Sequence, residues 1–440
     1  MTSTVTSTTT ESLDPAAKLF LESPVRLHIN GVDVASANGA QFTSLDPANG
    51  QTLANVMEAG PADVDAAVVA ARQALENPSW RKMSPRDRAQ LLFRLADLLE
   101  EHAEELAQLE SLDSGKPLAN ARKTDIPQSA DHIRYFAGWA TKIEGATIPS
   151  SQGDHFVYTR REPVGVCALI VPWNYPLLMA SWKIAPALAC GNTIILKPAE
   201  QTPLTAARLG QLATEAGFPA GVFNVLQGRG EVTGKALAAH PGIDKVAFTG
   251  STAVGKEIMA VAAKSLTRVS LELGGKSPNL IFADADIESA IGGAGWGIFY
   301  NMGEDCCAGS RIFVERPVYD EVVAGLAKLA NTIPVGPGFT HEQDRSAHLV
   351  RAALARGRLR AWQHRGRWAR RSRRWSAGRR SRSRLLLRAN RHNRLGQSIE
   401  NCSGGSFRTS GRGHTVLRRG RSIGPRERHA LRTRLGRVDE

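Results

Sequence analysis

The chain has 440 residues, 42% of them hydrophobic and 22% charged, enough for two or three domains with a large buried core. Its formal charge of +14 is unevenly placed: residues 341–440 hold 28 Arg, no Lys and six acidic residues, leaving 28 basic against 36 acidic side chains for residues 1–340. The body is therefore acidic, which excludes a uniformly basic nucleic-acid binder, and no uncharged apolar run approaches the roughly 18–20 residues that cross a bilayer.

Residues 1–19, rich in Thr and Ser and lacking a basic segment followed by an apolar one, read as a disordered leader rather than a secretory signal. Residues 62–78 and 84–112 read as helices. The second opens on Ser84-Pro85 with Asp87 completing the cap, carries a Leu stripe from Leu91 to Leu109, and closes at Gly115 and Pro117. A hairpin falls near 146–162. From residue 164 the apolar runs VGVCALIV, NTIIL, FNVLQ and DKVAFTG alternate with helical segments, the signature of a parallel sheet covered by helices that binds nucleotides at the carboxyl ends of its strands. The runs NLIFADAD and RIFVE, with helical ESAIGGAGWGIFYN and VYDEVVAGLAKLAN, begin a second α/β domain that stops unfinished near residue 338.

Five cysteines, Cys167, Cys190, Cys306, Cys307 and Cys402, form neither a CxxC zinc pattern nor a disulfide framework, so no metal is expected and a reducing cytoplasm fits. In NMGEDCCAGSR the cysteine pair sits between a predicted helix and a strand, where a loop can expose a thiol; alone, such a pair is more often packing than a nucleophile. Glu272 ends a β-branched run just before Gly274-Gly275. Asn174 lies on a Pro-bounded turn, IVPWNYP, where an amide could donate to an oxyanion, although a plain turn Asn is the commoner case. Two Gly-rich strand-to-helix turns, FTGSTAVG with Gly250 and Ser251 and QGRGEVTG with Gly228, Gly230 and Gly234, could place backbone amides near a pyrophosphate; the second misses the dinucleotide fingerprint by a residue, and either alone is a weak signal.

Taken in order, PWNYP, KPAEQTP, FTGSTAVG, LELGGKSP and GEDCCAGSR make residues 20–338 resemble the aldehyde dehydrogenase superfamily. The resemblance implies an α/β fold: a parallel-sheet, Rossmann-type NAD-binding domain of residues 20–145 and 163–276, an oligomerisation hairpin at 146–162, and an α/β catalytic domain, 277–338, that is truncated. It makes Cys306 the nucleophile, Glu272 the general base and Asn174 the oxyanion donor. Lys197 and Glu200 would hold the adenosine ribose, and Gly250, Ser251 and Gly255 would lie near the pyrophosphate. Ile170, Pro172, Trp173, Gly230, Phe248 and Leu273 complete the cofactor contacts. Glu200 favours NAD over NADP, because a carboxylate accepts from ribose hydroxyls and repels an added phosphate. Glu304 stands where the family often has Gln. The implied reaction oxidises an aldehyde to an acid through a Cys306 thiohemiacetal and thioester, in a homo-oligomer, dimer or tetramer. Tyr175, Met179, Trp182 and Trp296 point to an apolar or aromatic aldehyde.

The family continues past VGPGF with segments that do not follow here. An abrupt change to Arg, Gly, Ser and Ala without periodicity is what a GC-rich gene read out of frame from about residue 339 would give, and such a chain could be an inactive remnant. The rival is a selected Arg-rich tail binding RNA or DNA through phosphates, with Trp362, Trp368 and Trp375 for stacking. The frameshift is favoured, because a tail selected for phosphate contact would also use Lys. Six of the 11 His lie in this tail without metal-ligand spacing.

Overall fold

The computed structural model describes residues 13–334 and 336–340. The first part of the expected leader and the Arg-rich segment from 341, with its frameshift and nucleic-acid readings, lie outside the described residues. The remainder of the leader corrects the expectation of disorder, for Pro15–Glu22 is a helix, α1. Asp14 caps it by accepting from the amides of Ala16 and Ala17 at 2.8 and 3.3 Å, Pro15 supplies a helical φ at the first position, and Ala17 is buried.

The described residues fall into two compact units, 13–273 with 338–340, and 274–334 with 336–337. In the first unit, β1 (Leu27–Ile29), β2 (Val32–Val34), β7 (Val166–Ile170), β8 (Thr193–Lys197), β9 (Phe223–Val225), β10 (Lys245–Gly250) and β11 (Arg268–Leu273) form one sheet in the order β11-β10-β7-β8-β9-β1-β2. Five neighbours, β11 to β9, run parallel, and β1 and β2 add an antiparallel edge. Two hairpins stand apart, β3 (Gln41–Leu45) with β4 (Thr52–Met57) and the exposed β5 (Thr147–Ile148) with β6 (Val157–Tyr158).

Every residue of β7 and β8 is buried, as a parallel strand covered on both faces requires. Helix α2 (Pro61–Glu76) packs Val64, Ala67, Val68 and Ala71 against the face that carries Val166, Ala168, Ile170, Ile195, Val246 and Phe248. Each full burial of a Val, Ile or Phe contributes about 1.5–3 kcal/mol. The alternate residues Cys167, Leu169, Ile194 and Leu196 turn the other way by the pleat. The helix expected over 84–112 is two, α3 (Pro85–Glu101) and α4 (Ala103–Ser114). His102 breaks it at φ −101°, ψ 22°, and its Nδ1 meets Glu105 Oε2 at 2.7 Å across the first turn of the new helix. Ser84 caps α3 as expected, accepting from the Asp87 amide at 3.1 Å. Later helices are α5 (Ile126–Trp139), α6 (Pro176–Ala189), α7 (Leu204–Glu215) and α8 (Thr252–Ala262).

The second unit pairs β12 (Pro278–Ile281) in parallel with β13 (Arg311–Val314). Helices α9 (Ile287–Phe299) and α10 (Tyr319–Thr332) close a small core of Ile281, Ala294, Val314, Val322 and Leu326. No helix among the described residues is long and apolar enough to cross a membrane.

Candidate active site

The sheet order reverses at β7: the chain runs outward from β7 to β8 and β9, then returns to place β10 on the opposite side. Such a switch point opens a crevice beyond the carboxyl ends of the two central strands, where open α/β sheets take their ligands. The register gathers the sequence candidates there. Lys197 pairs with Ile170, Ile170 with Phe248, and Phe248 with Leu271 in one row across the sheet, while Glu272 and Leu273 lie opposite Thr249 and Gly250 one step nearer the edge. Pro172, Trp173 and Asn174 follow β7 on the turn into α6, and Ser251 follows β10 as the N-cap of α8, accepting from the Val254 amide at 3.3 Å. Gly230 opens the turn after β9.

Two glycines are dictated by close approach. A Cβ on Gly250 would fall 2.4 Å from the Phe248 ring, and one on Gly255 would fall 2.7 Å from Leu273 Cδ2, so the turn between β10 and α8 keeps its backbone bare where α8 directs its first amides. Lys197, buried at the end of β8, donates to the Pro198 carbonyl at 2.8 Å and lies 3.8 Å from Glu200 Oε2. Burial pushes its amine down to about 8, opposed by the carboxylates of Glu200 and Glu58. Glu272 is exposed on β11, whose alternate residues Val269, Leu271 and Leu273 face the core. Its charge acts on Lys183 of α6, a residue absent from the sequence candidates, whose amine burial pushes down to about 8 while Glu272 pulls it back up.

Tyr175 and Met179 are buried on α6 or just before it. Trp182 is half exposed and stacks on His132 with centroids 5.5 Å apart. Beneath this turn lies a second feature that no motif announced: Lys116, Glu110 and Asp125 are all buried, with the Lys116 amine on Asp125, 3.6 Å from Glu110 and 4.6 Å from the Tyr175 ring centroid. Glu110 also accepts from Thr205 Oγ1 at 3.0 Å and faces the Leu177 amide at the start of α6 at 3.4 Å. Three buried ionisable side chains thus anchor the turn that carries Asn174.

Cys306 belongs to the second unit. After α9 the backbone turns through three successive left-handed residues, Asn301, Met302 and Gly303, at φ 47°, 62° and 77°. For Met302 this geometry costs about 1–2 kcal/mol. The Asn301 side-chain Nδ2 donates to the Glu304 carbonyl at 3.2 Å, and the turn leads to Cys306 and Cys307, both exposed. Asp305 is the neighbour that sequence reading passed over. Its Oδ1 accepts from both the amide and the thiol of Cys307 at 3.0 Å. Cys307 is pushed up to about 12, first by that hydrogen bond and then by burial; Cys306 is raised first by burial and then by the Asp305 charge. Trp296 of the same unit is exposed and stacks on Tyr300 at 5.2 Å.

The first unit is thus a nucleotide-binding type of α/β sheet and the second presents exposed thiols on a loop. Comparison with known proteins gives these parts a family. The model of the aldehyde dehydrogenase family matches residues 34–362. DhaS of Bacillus subtilis is 54% identical over 331 residues, covering 75% of this chain and 66% of its own length. Human retinal dehydrogenase 2 is 51% identical over 340 residues, covering 74% and 65%. A solved NAD+ complex of an aldehyde dehydrogenase from Bacillus cereus superposes with a TM-score of 0.78 at 49% identity, covering 81% of this chain and 72% of that one. The chain belongs to the aldehyde dehydrogenase family. It spans just under two thirds of the length of the curated relatives, 66% of DhaS and 65% of the human protein.

Proposed function

We propose that this chain is an NAD-dependent aldehyde dehydrogenase acting through Cys306. What carries the reading is the exposed Cys306 thiol on a turn of left-handed residues, in a chain whose relatives bear that family's name and whose structural neighbours include an NAD+ complex. The crevice fits a dinucleotide. Gly250 and Gly255 leave no room for a Cβ beside Phe248 and Leu273, Ser251 is exposed at the N-terminus of an 11-residue helix, and nothing lies within 4 Å of a Cβ built on Gly230. Lys197 and Glu200 would hold ribose hydroxyls, with Ile170, Pro172, Trp173, Phe248 and Leu273 lining the same strand ends. Glu200 argues for NAD rather than NADP. When bound, the nicotinamide supplies the hydride acceptor.

The protein's own groups divide the remaining work. The Cys306 thiol gives up its proton to Glu272, which passes it to solvent, and its sulfur adds to the aldehyde carbon, converting a carbonyl into a tetrahedral centre from which hydride can leave. Asn174 and the Cys306 amide donate to the oxyanion. The resulting thioester is cleaved by water that Glu272 deprotonates, releasing acid and regenerating the thiol. Because partial desolvation and Asp305 hold the Cys306 thiol above its ordinary range, a base is needed at the first step as well as the last. The apolar and aromatic Tyr175, Met179, Trp182 and Trp296 support an apolar or aromatic substrate, and the exposed β5–β6 ribbon supports assembly into a dimer or tetramer. A cytoplasmic setting suits a chain working through a free thiol.

The test follows NADH formation by the full-length chain with a panel of aliphatic and aromatic aldehydes. Cys306→Ala is expected to abolish turnover while leaving NAD binding in place. Turnover that persists in Cys306→Ala would sink the nucleophile assignment. A folded chain that makes no NADH with any aldehyde would be a family member without activity.

A further inference from the structure

The side-chain ligand atoms of Asp305, Cys306 and Cys307, two sulfurs and a carboxylate oxygen, all lie within 4.8 Å of one another on the second unit. From this geometry we propose that the loop is a binding site for a soft divalent cation, Zn2+ or its analogue Cd2+. Zinc bonds thiolate sulfur at about 2.3 Å and carboxylate oxygen at about 2.0–2.2 Å, which sets tetrahedral ligand atoms roughly 3.4–3.8 Å apart. Cys307 Sγ and Asp305 Oδ1 already stand 3.0 Å apart, so closing the set takes only a small rotation of the two exposed cysteines about the half-buried Asp305. The loop is braced for it: the Cys307 backbone amide fixes Asp305 Oδ1 from one side, and the Asn301 side-chain Nδ2 holds the Glu304 carbonyl from the other. The spacing is unlike CxxC, because adjacent cysteines supply two ligands and the residue before them the third.

Binding is a proton exchange. The ion displaces one proton from each thiol, joins two thiolates and one carboxylate, and keeps water in the fourth position, as open three-ligand zinc sites do. No oxidant or reductant takes part. An ion held there occupies the Cys306 sulfur, so the same loop that offers a nucleophile is closed by a thiophilic metal. The site stands independently of aldehyde turnover, and its test does not use turnover.

The full-length, reduced, chelator-treated chain is titrated with Cd2+ while the ultraviolet thiolate-to-metal charge-transfer band is followed, and with Zn2+ in competition with a chromogenic chelator. Saturation is expected at about one ion per chain with about two protons released. Cys307→Ser should diminish the band, and both Cys307→Ser and Asp305→Asn should weaken uptake about tenfold or more, since even outer-shell changes cost that much. Cys167→Ser and Cys190→Ser should change neither. Circular dichroism matching the parent shows that these loop variants fold. A band that survives Cys307→Ser undiminished overturns the proposal. So does zinc uptake undiminished in the Cys306→Ser/Cys307→Ser double variant, which would place the ion on histidines or Cys402 beyond residue 340.

Discussion

Cys306 and Cys307 sit in surroundings that oppose their own ionisation. Burial raises Cys306 first, whereas Cys307 is held up to about 12 mainly by its hydrogen bond to Asp305. Removing that negative charge while keeping the shape separates the two causes. Asp305→Asn should move the pH profile of thiol alkylation downward by about one unit or more at Cys307 and by less at Cys306, read peptide by peptide in mass spectrometry. Equal shifts at both would mean that charge, not burial, dominates at Cys306. Taken alone the cysteine pair, Glu272 and Asn174 are weak signals in the sequence, and they stand out only as parts of segments that follow one another in family order. Asp305 was in plain view beside them, yet nothing in its spacing announces a carboxylate aimed at a thiol, because that depends on rotamers.

At the scale of elements, the strands were legible where burial is continuous. Runs such as VCALI and TIILK have no solvent face, and β7 and β8 form where they were expected. The break at His102 was not legible, because the Leu stripe continues through it and only the Glu105 contact marks the restart of α4. Nor was the cluster that ties α4, α6 and α7 together, since Glu110 meets Lys116 within one stretch but Leu177 and Thr205 from 67 and 95 residues away. This cluster has a pH signature. Burial raises Glu110 from 4.5 to about 7, so the folded chain holds a proton that the unfolded chain releases. Its contribution to stability is full below about pH 4.5 and is lost as the pH rises through about 7. Glu110→Gln should therefore flatten the decline in melting temperature between about pH 5 and 8. A decline as steep as in the parent would place the proton on Asp125 instead.

For the molecule as a whole, the parallel sheet and its family were legible from the order of five short segments, while the pairing of β1 and β2 onto the far edge of that sheet was not, since His28 meets Val225 across nearly two hundred residues. If the switch-point crevice takes NAD, saturation at a hundredfold excess over Kd should stabilise the chain by about 2.7 kcal/mol, a rise in Tm of roughly 3 °C. Lys197→Met should abolish that rise while the unliganded Tm stays within a few degrees of the parent. An undiminished rise would place the cofactor elsewhere. The order β11-β10-β7-β8-β9 also bears on the birth of the protein. β7 reaches its final neighbours on one side soon after residue 197 is made, but its other flank stays bare until Lys245–Gly250 arrives. Cofactor cannot rescue a nascent chain before then. Ribosome-stalled chains ending a few dozen residues past Val225 should be digested equally with and without NAD, and only those long enough to free β10 from the exit tunnel should gain protection.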